Sequence, residues 1–160
     1  MRFTIIKDLK QDRSMRPILN GLLIFTIMYL IADLFVIKSS LGLFEQEIYK
    51  TLYGDKDEFL DPMSKSIFLE FIHTQIFFMM MIIFTLSTVY MRLAFKLSYS
   101  LFAVNTLLVS AFMSLILLGL SYYVEKDYIS LYVITFFIWH IVAFYMAIFC
   151  IWSLSFAKCI

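Results

Sequence analysis

Four stretches of this chain, at about residues 17–37, 66–91, 97–120 and 128–154, run almost without charge. Each exceeds the roughly 20 residues a helix needs to cross about 30 Å of hydrocarbon. No other feature limits the fold so strongly. In lipid every backbone N–H and C=O must be satisfied within the segment, and for apolar runs of this length the helix does that. Composition agrees: 62% of residues are hydrophobic and 16% charged, where soluble domains stand nearer about half and about a quarter. The expectation is an all-α integral membrane protein, a four-helix up-down bundle forming one domain over residues 1–160.

Lysine and arginine set the orientation. The N-terminal arm carries Arg2, Lys7, Lys10, Arg13 and Arg16, the short second loop Arg92 and Lys96, and the tail Lys158. The first loop, 38–65, dilutes Lys38, Lys50, Lys56 and Lys65 over a long segment, and the third has only Lys126. Both termini are therefore expected in the cytoplasm, in a multi-pass protein of the cell (inner) membrane. The first apolar run is too long for the core of a signal peptide and no A-x-A-like site closes it, so it reads as an uncleaved span. Tyr122, Tyr123 and Tyr128 are placed to form an outer aromatic belt, and Tyr90, Tyr99 and Trp152 an inner one.

The first outer loop has structure of its own. In LGLFEQEIYKTLYG, Leu41, Phe44, Ile48 and Leu52 share a helical face, and Gly54 follows as a stop. The expectation is a short amphipathic helix on the outer membrane surface. Asp61 is expected to cap the second span, with Pro62 at its first helical position.

Chemistry concentrates in four residues. Asp33, Glu70, His73 and His140 are the acids and histidines well inside the predicted spans, and no lysine or arginine lies there. A charge at the bilayer centre costs about 2.5–3.5 kcal/mol on insertion scales, so such residues tend to face the bundle interior. Asp33 is near the outer end of span one, Glu70 and His73 near the outer end of span two, and His140 in the outer half of span four or near the midplane. Thr26, Tyr29 and Asp33 share one stripe; Glu70, His73, Thr74, Phe77 and Met81 share another; His140, Ala143 and Ala147 a third. Two carboxylates and two imidazoles without a cationic partner suit a proton, a metal ion or a haem iron.

Three readings follow. The first is a b-type haem for electron transfer, with His73 and His140 as axial ligands from the parallel, diagonal spans two and four. The second is a divalent-metal or proton site for transport or sensing, built from Asp33, Glu70, His73 and His140. EFIH is one Glu-x-x-His, where a di-iron bundle needs two copies and two further glutamates. In the third, no cofactor is bound and the chain is a non-catalytic accessory or assembly subunit of a larger membrane complex: the polar residues bond between helices, or meet a membrane-protein partner or a further copy in an oligomer. The first and third describe a subunit and the second a transport or sensing protein, and a stand-alone enzyme is not the expectation.

Several functions are disfavoured. A net charge of +1 gives no basic footprint for nucleic acid. Cys150 and Cys159 form neither CxxC nor zinc spacing and read as unpaired thiols. Met79, Met80 and Met81 are consecutive, so they point three ways and cannot share one copper. Ser110 and Ser114 have no base at hand for nucleophilic catalysis.

Overall fold

The computed structural model describes residues 15–94 and 97–155. The basic arm up to Arg13, Lys96, Lys158 and Cys159 lie outside them. Five helices follow in order: α1 (Met15–Ser40), α2 (Glu45–Tyr53), α3 (Lys65–Leu93), α4 (Leu97–Tyr123) and α5 (Tyr128–Ser155). All but α2 are long and apolar enough to cross a membrane. The chain is an all-α integral membrane bundle.

Local chemistry sets the end of α1 and the starts of α2 and α3. After α1, the N–H groups of Leu41 and Gly42 both bond to the Ile37 carbonyl at 2.9 Å. Gly42 takes φ +97°, and a Cβ there would lie 2.4 Å from Cβ of Glu47, so glycine is required at this corner. Glu47 then reaches back and accepts the Leu43 N–H at 2.8 Å, securing the start of α2. The cap of α3 is not Asp61. Ser64 serves instead, its hydroxyl accepting the Ile67 N–H at 3.4 Å. Asp61 and Pro62 lie upstream, where the Met63 N–H bonds to the Thr51 carbonyl at 3.0 Å.

The α5 helix is the hub. It packs against α1, α2, α3 and α4, most extensively against α4. Ala143, Ala147 and Cys150 are fully buried on it, and such small side chains let neighbouring backbones close in. The room beneath His140 is thus taken by protein helices. Ser110 and Ser114 on α4 are buried too, and their hydroxyls donate to the Thr106 and Ala111 carbonyls at 2.6 and 2.8 Å. Their donors are committed to their own helix.

The amphipathic reading of α2 holds in part. Leu41, Ile48 and Leu52 are buried, but Phe44 is 63% exposed. The buried face docks on the end of the bundle, against α5, rather than lying open for lipid. Side-chain ties hold it there: Tyr53 OH donates to the Ser121 carbonyl, and Ser130 Oγ donates to Glu45 at 2.7 Å. Beside them Tyr122 OH donates to the Met63 carbonyl at 3.1 Å and its ring stacks on Phe68 at 3.9 Å.

Outside the spans, Lys50 closes the loop after α2 by pairing with Glu58 and, at 2.9 Å, with Asp55. Hydrogen bonds to Glu58 and then Asp55 push the Lys50 ammonium up from its ordinary value. Hydrogen bonds from Lys50 and the Asp57 N–H hold the Asp55 carboxyl below its own. Of the expected belts, Tyr123, Tyr99 and Trp152 are exposed, while Tyr90 is buried with its ring 5.3 Å from that of Phe149. Tyr90 is thus core, because its face of α3 turns inward.

Candidate functional site: a buried acid–imidazole pair

The face of α3 decides the site. Phe68, Gln75, Met79, Ile82 and Leu86 form its buried stripe. Glu70, His73 and Thr74 lie on the opposite side and are exposed. The sequence grouped those three with Phe77 and Met81 correctly, yet the stripe points out of the bundle. Met79 is buried while Met80 and Met81 are exposed, so the three methionines do diverge.

The intrachain haem arrangement is therefore not formed. His140 is buried and His73 is on the outer face of another helix. Helices α3 and α5, expected to stand diagonally across the bundle, instead pack directly on each other. Nor do Asp33, Glu70, His73 and His140 converge as a metal site: among the described residues no three His, Cys, Asp or Glu side chains gather to hold an ion.

Asp33 and His140 do meet. Their side chains are each 3% exposed, and Asp33 Oδ2 lies 3.3 Å from His140 Nε2. By helix rise the pair sits about 10 Å inside the end of α1 and about 18 Å past the start of α5. The other carboxylate oxygen, Oδ1, accepts Gln75 Nε2 at 3.1 Å and Tyr29 OH at 3.4 Å. The acid thus ties α1 to both α3 and α5. His140 is wedged between rings of its own helix, with centroids 4.2 Å from Phe136 and 3.8 Å from Trp139.

His140 Nδ1 lies 3.0 Å from the Phe136 carbonyl. A carbonyl oxygen only accepts, so Nδ1 carries a proton. In a neutral ring Nε2 then holds a lone pair, which would face the lone pairs of Asp33 Oδ2. Neither atom has another hydrogen-bond partner. One proton between them removes the repulsion, as an imidazolium–carboxylate or as an imidazole–carboxylic acid. With that proton the pair has no net charge, which lowers the cost of burying it far from water.

Gln75 is the site residue that sequence reasoning missed. It carries no charge, so it drew no notice among the ionisable groups. Its signal was register: it shares a face with Phe68, Met79, Ile82 and Leu86, a face on which an amide needs a partner.

A bundle of four bilayer-length helices with a buried polar seam defines a multi-pass α-helical membrane protein. Residues 42–159 match the Aq_1264_TM family, a transmembrane helical domain, and the chain belongs to that family. No curated protein and no solved structure matches it.

Proposed function

We propose that the protein is a proton-responsive membrane subunit whose Asp33–His140 pair binds and releases a proton and thereby sets how firmly α1 is held against α5. The observation that carries this reading is the 3.3 Å approach of Oδ2 and Nε2, with neither atom bonded elsewhere and Nδ1 committed to Phe136. Loss of the shared proton opposes two sets of lone pairs. Gain of a second leaves a buried imidazolium without its counter-ion. Both changes weaken the seam, so α1 docks most firmly while the pair holds a single proton.

The neighbours support a proton site over a metal site. The other polar groups facing Asp33 are Gln75 of α3 and Tyr29 of α1, with Tyr132 of α5 within electrostatic reach. None is a strong ligand for a divalent first-row metal. Tyr29 is only half-buried, so its hydroxyl connects the carboxylate to the edge of the bundle.

The test is a spin-label distance between Ser39 on α1 and Asp127 beside the start of α5, read in lipid nanodiscs from acid to alkaline pH. The wild type is expected to be shortest at intermediate pH and to broaden at both extremes. Asp33→Asn is expected to lose that dependence. A distance that ignores pH in the wild type contradicts the proposal.

A further inference from the structure

The outward stripe of α3 remains without a role. Glu70, His73, Thr74, Phe77, Met81 and Phe84 recur at three- and four-residue steps, and all are exposed. The corresponding faces of α1 and α5 differ in kind. There the exposed residues include Phe25, Met28 and Phe35, and Ile134, Ile138 and Ile141, which lipid tails satisfy. A carboxylate and an imidazole about 8 and 12 Å along a spanning helix are not satisfied that way.

We propose that this face of α3 is a dimer interface that takes a second copy of the chain, with Glu70 of each copy paired to His73 of the other. The argument is self-complementarity. Two copies inserted by the same route share one orientation, so their two-fold axis lies along the membrane normal and equal heights face each other. Glu70 and His73 lie on opposite sides of the midline of that stripe, so across the axis each Glu70 comes beside His73 of the other copy, and the side chains span the step of about 4.5 Å in height between them, twice per dimer. Below them Phe77, Met81 and Phe84 supply apolar contact. A different membrane protein would need its own matching acid and base at this depth; a second copy already has them. The interface leaves the Asp33–His140 pair untouched, because Gln75 and the buried stripe occupy the other side of the helix.

Cysteine cross-linking in native membranes tests the proposal, in a background with Cys159→Ser and the buried Cys150 retained. Phe77→Cys is expected to give a covalent dimer on mild oxidation, and Ile138→Cys on the lipid face of α5 is not. Association measured by single-molecule photobleaching in large vesicles supplies the second arm. Glu70→Gln is expected to weaken dimerisation about tenfold. The exchange of Glu70→His together with His73→Glu is expected to restore it, since the swapped pair is still self-complementary. Cross-linking at Ile138 equal to that at Phe77, a monomer at every density, capture of another protein through Phe77→Cys, or a swap no better than Glu70→Gln would overturn the proposal.

Discussion

The chain contains two acid–histidine pairs of the same chemistry in opposite settings. Asp33 and His140 come from α1 and α5, meet at 3.3 Å and are buried. Glu70 and His73 come from neighbouring turns of α3 and face outward. The first pair closes within one chain, and each further lone pair of Asp33 that is used serves a neighbouring helix or its own. The second has nothing in the described chain to close against. The contrast teaches that an ionisable residue in a span marks a demand for a partner, but does not say whether that partner lies inside the bundle or beyond it.

Removing one member of each pair should separate them most sharply. Asp33→Ala leaves an unpaired imidazole in the core and is expected to cost about 3 kcal/mol of unfolding free energy. Glu70→Ala on the outer face should stay within about 0.5 kcal/mol when measured on the monomer in detergent. Equal losses would erase the distinction. Replacing both buried partners, Asp33→Leu with His140→Leu, should recover about 1–3 kcal/mol of that loss, because an apolar pair of similar size needs no charge. The same double variant should show no pH dependence in the α1–α5 distance, which separates stability from proton response.

Smaller effects grade the buried site. Gln75→Leu removes one donor to Asp33 Oδ1 and is expected to cost about 1 kcal/mol, and Tyr29→Phe, with its longer bond, about 0.5 kcal/mol or less. A steric-trapping or denaturant series in micelles would rank them. The smallest effect belongs to the exposed Lys50 clasp. Asp55 is held below its ordinary value of 3.8, so its contribution is present above that pH and fades as pH falls through the depressed value. Lys50 is raised above 10.5, so its share persists below that pH and is lost as pH climbs through the elevated value. Limited proteolysis of the loop at residues 54–60 should therefore accelerate only in strong acid or strong base. Acceleration near neutrality would show that the clasp does not hold the loop.

The spans could be read from the sequence because bilayer thickness sets their length, whatever packs against them. The inner face of α3 could not. In a soluble helix polar residues mark the outside, but in lipid both sides of the helix are apolar, so the periodicity of Phe68, Met79 and Leu86 resembles that of Phe77, Met81 and Phe84. Treating charge as a mark of the interior put Glu70 and His73 inside, where the uncharged Gln75 stands. Asp33 and His140 were legible as buried, while their direct contact required the packing of α1 on α5. The end of α2 shows the same limit. Its amphipathic pattern was plain from Leu41, Ile48 and Leu52, but nothing in the pattern told a lipid surface from the end of its own bundle.

The proposal of one proton shared by Asp33 and His140 is most directly tested by the nitrogen-15 resonances of His140 in lipid bilayers, in the wild type and in Asp33→Asn. The prediction is that Nδ1 stays protonated throughout, while Nε2 carries or shares a proton in the wild type and loses that signature in Asp33→Asn. A neutral ring with the proton on Nε2 alone and Nδ1 bare, unchanged by Asp33→Asn, would contradict it.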